Sequence, residues 1–459
     1  MSHFTSRTPC AVLLVATLLA LILPPIRPAA GQTAVNHSRE VVDLALDRHP
    51  ELAAAGIDAD AMRAHAAWLK ALPDPRFDVA WFPYRVFTAR GSQRSRLSVE
   101  QTIPWPGLRA ARSEVARSNA ERLDQDALRL ALDISRDTRL AWNRAWRAGA
   151  LTRIARQFQV NLSRFETSAT NRYETGEEAM APLISIQLEG AALDLAMERL
   201  SEDLLLARRD LARLADIPDL ALPDSLPPVY DLALPDSLMP GFDLAPGGPK
   251  GPFADPPARQ AQDLIQTALA ARPDLRGLEA LRRSRLDDAE VARLSARPDF
   301  IVGLNWVDTA EEAFLPNGDG RDALGLRLGI TVPLWGAARR APKERARLLV
   351  AEVEAQIRAR QTAIRTEVEE LSARLTSQEE QLRQLSDVLV PRAGIAQHTA
   401  LTAYRSGQTS LLQVLDAERT LYRLQTEYID VAARLMETHI LLERALGSPP
   451  DSRNHSHHD

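Results

Sequence analysis

Residues 350–407 read VAEVEAQIRARQTAIRTEVEELSARLTSQEEQLRQLSDVLVPRAGIAQHTALTAYRSG, and this stretch decides the fold. Its apolar positions are Val350, Val353, Ile357, Ile364, Val368, Leu371, Leu375, Leu382, Leu385 and Leu389. They advance by three or four residues, with whole-heptad steps across Arg360 and Gln378. That is a coiled-coil period with two polar interruptions, expected to run as far as Pro391. At Tyr404-Arg405-Ser406-Gly407 the pattern turns back into Leu411, Leu412, Leu415, Leu421 and Leu424. At about 1.5 Å per residue, a helix from Ala337 to Tyr404 would be roughly 100 Å long. A hairpin of that reach belongs to an elongated molecule.

The same unit occurs earlier in the chain. His49-Pro50-Glu51-Leu52 is matched by Arg272-Pro273-Asp274-Leu275 at an offset of 223 residues. Pro75-Arg76-Phe77 is echoed by Pro298-Asp299-Phe300, and Ile103-Pro104-Trp105-Pro106-Gly107 by Val332-Pro333-Leu334-Trp335-Gly336. Tyr173-Glu174-Thr175-Gly176 precedes Tyr404-Arg405-Ser406-Gly407 by 231 residues. Ordered correspondences at a nearly constant offset mark an internal duplication. The repeats are expected at 32–216 and 259–447, joined by a proline-rich linker at 217–258. That linker repeats the eight residues 219–226 at 231–238. Each leading helix and each return helix together match one long helix in length, so the two short ones are expected to stack end to end beside the long one.

Each repeat carries a pair of strand-like segments, within 76–103 and 300–332. Leu324, Leu326, Leu328 and Ile330 alternate with Gly325, Arg327, Gly329 and Thr331. Phe300, Val302, Leu304 and Trp306 alternate with Ile301, Gly303, Asn305 and Val307. This period of two puts one continuous apolar face opposite a smaller, more polar one. Segments of about eight to twelve residues suit a tilted membrane-spanning strand. The same pattern would also fit the edge of a soluble sandwich.

At the start, Arg7, the apolar run Ala11–Leu23 and the small residues Ala29-Ala30-Gly31 read as a secretory signal peptide over 1–31, the apolar core being short for a membrane span. Cys10 is the only cysteine, so the exported chain is expected to hold no disulfide and no thiolate metal site. With 61 acidic against 56 basic side chains, the charge balance speaks against a nucleic-acid partner. No stretch after Gly31 reaches the run of about 18 apolar residues that a membrane helix requires. No nucleophile elbow, phosphate loop or dinucleotide fingerprint is present, so no enzyme activity and no cofactor is expected. His455, His457 and His458, on the polar tail 448–459, are a weak candidate for binding a metal through imidazole. His37, His49, His65 and His398 are isolated.

Four strands between duplicated long helices, with Tyr-x-x-Gly turns, resemble the TolC-type outer-membrane efflux channels. The closest stretch runs from Tyr404 through Gln413-Val414-Leu415-Asp416-Ala417 to Leu421-Tyr422 and Ala445-Leu446-Gly447. Ile103-Pro104-Trp105-Pro106-Gly107 is similar to the heavy-metal branch of that family. The resemblance implies a mainly α fold with a small β part: an α-barrel of long hairpins, and four strands per chain completing a 12-stranded barrel in a homotrimer. It implies that Tyr173, Gly176, Tyr404 and Gly407 are tips that dock a periplasmic adaptor protein, itself tied to an inner-membrane pump. Asp416 matches an aspartate of the family's periplasmic gate. Gln413 stands where a second aspartate is common and Thr409 where an arginine is, so the closed-state charge network is expected to be thinner here. The function expected is a passive exit duct in the outer membrane of a Gram-negative bacterium, possessing contacts with outer-membrane lipid, and heavy-metal cations as the preferred cargo. The alternatives are the exit duct of a protein-secretion system and a periplasmic coiled-coil scaffold.

Overall fold

The computed structural model describes residues 35–447, apart from 89–90, 177–178, 219, 224, 231–256, 312–319 and 333–335. The signal peptide, the second linker octet, most of the 332–336 echo and the histidine tail lie outside the described residues. Helices α1 (Ser38–Arg48) and α2 (Pro50–Trp68) lead into strands β1 (Arg76–Thr88) and β2 (Gly91–Ile103). The long helix α3 (Leu108–Glu174) follows, and α4 (Met180–Leu214) returns along it. The second repeat has α5 (Pro257–Ala271), α6 (Pro273–Leu294), β3 (Phe300–Ala310) and β4 (Ala323–Ile330). It ends with α7 (Gly336–Gln384), a π turn at Leu385–Leu389, α8 (Val390–Arg405) and α9 (Leu411–Leu446).

The duplication is visible in backbone angles. His49 and Arg272, each just before a proline at the first helical position, both leave the helix at φ −62°, with ψ 118° and 125°. Proline cannot accept a helical residue before it, so both leading helices break at the same place. Gly176 and Gly407 both turn the long hairpins at φ +74°.

Lateral packing follows the expected stacking. α3 is flanked by α1, α2 and α4 within its own repeat, and α7 with its continuation by α5, α6 and α9. The repeats join where α3 lies against α6 and α9. Trp142 and Trp146 are fully buried there. The Trp142 indole donates to Pro227 O at 2.8 Å, and Asn143 Nδ2 donates to Ala433 O at 2.8 Å. The described linker residues therefore lie on the helical wall, with Leu226 buried and Tyr230 against His439.

Two expectations change. The seam does not stop at Pro391. Proline has no N–H to give the carbonyl four residues back, and the π turn absorbs the defect by adding a residue, Val390 N–H reaching Leu385 O. The extra residue rotates the seam, so that Leu389 is exposed while Val390 and Ala393 are buried. By length and composition alone, α4 passes as a possible membrane span, against the earlier reading, because a hydropathy average tolerates Glu189 and Asp194 within it.

The polar interruption at Arg360 has a structural cause. Asp274, at the α5–α6 break, accepts from Arg360 Nε at 2.7 Å and from Arg272 Nη2 at 3.1 Å. Arg272, only 1 % exposed, also reaches Glu367 Oε2 at 2.5 Å. Burial would raise the Asp274 carboxyl, but Arg272 and Arg360 outweigh it and hold it below the ordinary carboxylate range.

Candidate functional site

The four strands form one antiparallel sheet in the order β1-β2-β3-β4, pairing the two repeats through β2 and β3. Register puts like with like. Phe77, Val99, Leu304 and Leu326 form one row across the sheet, and Val79, Leu97, Trp306 and Leu324 the next. The outer strands of these rows are bare: Phe77 is 67 % exposed, Val79 75 %, Leu326 67 % and Leu324 77 %. Among the described residues no helix covers this face, so in water it would be an aggregation surface.

The opposite face is polar. One row holds Arg76, Glu100, Gly303 and Arg327, the next Asp78, Ser98, Asn305 and Gly325, and the third Ala80, Arg96, Val307 and Ala323. Arg327 donates to Glu100 across the intervening strand. Arg76 pairs with Asp78 at 3.0 Å. Past the bulge between Gln93 and Ser95, Arg94 pairs at 2.7 Å with Asp308, which belongs to the Trp81–Ser95 row of the other face. The alternation expected at 300–307 and 323–330 is thus realised, and Arg327 lies on the polar face. β4 ends two residues early, where Thr331 N–H donates to Asp299 O at 2.9 Å and Thr331 Oγ1 accepts from Asp299 N–H at 2.8 Å.

The helical tips lie at the other end of α3, roughly 100 Å from the sheet by helix rise. At both, the glycine N–H donates to the tyrosine carbonyl three residues back, at 3.0 Å. A Cβ on Gly176 or Gly407 would touch nothing, so the positive φ alone calls for glycine. The two tyrosines differ. Tyr173 is 44 % exposed, whereas Tyr404 is buried beneath the Arg172 guanidinium, 4.7 Å from its ring centre. The structure thereby brings the two tips side by side.

Gln413 and Asp416 share an exposed face of α9, one turn apart. Thr409 Oγ1 donates to Gln413 Oε1, and Asp416 makes no ion pair among the described residues. Sequence reading missed Glu418. Its side chain is buried in the α3–α9 seam, where Asn161 Nδ2 donates to it, beside the Phe158–Tyr422 stack at 4.5 Å. The signal was available: residues 411, 415, 418 and 422 keep the seam spacing, and a glutamate on an apolar stripe must find a partner. Arg419 ties α9 to α4 through Glu189 at 2.7 Å.

A sheet with one apolar and one charged face, carried on duplicated hairpins of this length, is similar in fold to the TolC-type outer-membrane channels. Residues 264–448 match the outer membrane efflux protein family. The chain is 25 % identical over 434 residues to the pyoverdine export outer membrane protein OpmQ of Pseudomonas putida, covering 89 % of this chain and 85 % of that one. Among solved structures it superposes on CusC with a TM-score of 0.69 at 18 % identity, covering 93 % of this chain and 96 % of that one. VceC of Vibrio cholerae gives a TM-score of 0.69 at 17 % identity, covering 89 % and 96 %. The family match covers the second repeat, and the likeness in fold extends over nearly the whole chain.

Proposed function

We propose that three copies of this chain close a twelve-stranded barrel in the outer membrane and form the passive exit duct of a tripartite efflux system. The carrying observation is the sheet itself. It has four strands and two unpaired edges, β1 and β4, with its apolar face bare. Four strands cannot close, and open edges in lipid leave backbone groups unsatisfied at several kcal/mol each, so neighbouring copies must supply the missing pairs. The helical wall agrees. One edge, α4, exposes Met180, Ile184, Leu188 and Leu195, and the opposite edge exposes Leu348, Leu389 and Ile395. Unlike edges meeting head to tail generate a ring.

In this reading Arg76, Glu100 and Arg327 face a water-filled lumen, and the apolar rows face lipid. The Tyr173–Gly176 and Tyr404–Gly407 tips dock the adaptor, and Gln413 with Asp416 lines the periplasmic entrance. Energy comes from an inner-membrane pump, since a passive duct moves cargo only down its gradient. Among the described residues no group of three or more His, Cys, Asp or Glu is placed to hold a metal ion. A metal cargo would therefore cross without a resident ligand site there. The test is fractionation of the expressed chain: a detergent-extracted trimer in the outer-membrane fraction is expected, and recovery as a water-soluble monomer would overturn the proposal.

A further inference from the structure

On the polar face of the sheet most of the described charges are paired, and Arg96 makes no ion pair among the described residues. Glu100 takes Arg327 and Asp78 takes Arg76, while Asp308, in the Trp81–Ser95 row, takes Arg94. Asp322 accepts from Thr309 N–H at 3.0 Å, beyond the Arg96 row. Arg96 shares its row with Ala80, Val307 and Ala323, none of which can carry charge. Its guanidinium lies over the Phe82 ring at 6.0 Å. That contact steadies the side chain and leaves its charge uncancelled. The residue is exposed and makes no ion pair among the described residues.

We infer that Arg96 is a selectivity residue of the lumen, favouring small anionic solutes bearing carboxylate or phosphate groups. The inference rests on the trimeric-barrel reading above. Three-fold symmetry converts one unpaired guanidinium per chain into a ring of three at one level, above two rows whose charges sum to zero. Rings of arginine or lysine are the usual device of anion-conducting pores. A low-dielectric wall focuses such a field into the lumen and enriches the counter-ion there. The guanidinium also offers paired donors that match carboxylate and phosphate. The ring opposes free metal cations, so a metal would pass this level more readily as an anionic complex.

The test uses the purified full-length trimer in planar bilayers under a potassium chloride gradient. Arg96→Cys is made in a chain whose native Cys10 is serine, and the thiol is labelled in the assembled, conducting pore, so that folding is not at issue. A cationic thiol reagent is expected to hold the anion-to-cation permeability ratio near wild type. An anionic reagent is expected to lower it several-fold. Arg96→Lys should retain the wild-type ratio. One ratio for both labels would overturn the inference while leaving the channel reading intact. Failure of the unaltered chain to form any trimeric pore would overturn the channel reading itself.

Discussion

Arg327 on β4 and Glu100 on β2 are joined across β3, their side chains meeting over Gly303. A Cβ on Gly303 would lie 3.0 Å from Val99 O and 3.1 Å from Glu100 Cγ, so the strap needs a residue without a side chain beneath it. The apolar row one residue away has the opposite character, with Leu326 beside Leu304. Faces this distinct make the sheet's polarity directly testable.

Leu326→Arg is expected to cost about 2–4 kcal/mol where it meets the bilayer midplane, and to reduce trimer yield in the outer membrane. Arg327→Leu should assemble normally and, by freeing Glu100, move the pore toward cations in single-channel recordings. Equal assembly defects in the two variants would mean that the faces are misassigned.

Gly407 tests the tip. Both hairpins turn at φ +74° with open space around the glycine, so Gly407→Val strains only the backbone. A β-branched residue in this region is a steric outlier. Trimer insertion should be unaffected and adaptor cross-linking weakened, with export reduced. Full cross-linking and full export would move the docking site elsewhere.

Asp416 tests the entrance. It is exposed on α9, one turn beyond Gln413, and has no cationic partner among the described residues. Three carboxylates around one axis attract cations in a confined pore. Asp416→Asn should therefore weaken block by added divalent cations. If block is unchanged, the side chain lies outside the conduction path.

Asp274 predicts an acid-sensitive joint between α6 and α7. Its folded carboxyl lies below its unfolded value, because Arg272 and Arg360 outweigh the opposing effect of burial. The stability this contributes is present in full above about pH 4, and is lost as pH falls through the folded value. Asp274→Asn leaves the buried Arg272 short of charge and should cost about 3 kcal/mol at neutral pH. It should also flatten the acid dependence of thermal unfolding. A variant that melts like the parent at pH 7 would count against the ion-pair account.

Much of this architecture was legible in the chain. The seam spacing, the proline pairs at 50 and 273, and the two Tyr-x-x-Gly turns located the helices, their breaks and their reversals, because each reflects a local backbone rule. Period-two alternation at 300–307 and 323–330 assigned the strand faces for the same reason. The shift from Leu389 to Val390 was hidden, since a π turn depends on how the chain relieves Pro391 against its neighbours. The meaning of Arg360 as a seam interruption was hidden too, since its partner Asp274 is 86 residues away.

By itself the sequence determined periodicity, duplication and the chemistry of each face, which follow from spacing along one chain. Only the tertiary structure decided which charges cancel. Glu100 meets Arg327 because β2, β3 and β4 pair in one particular register, and Arg96 has no ion-pair partner among the described residues because the same register sets it among Ala80, Val307 and Ala323. Electrostatic compensation depends on distance in space, and residues 227 apart in sequence become neighbours only when the sheet closes between the repeats.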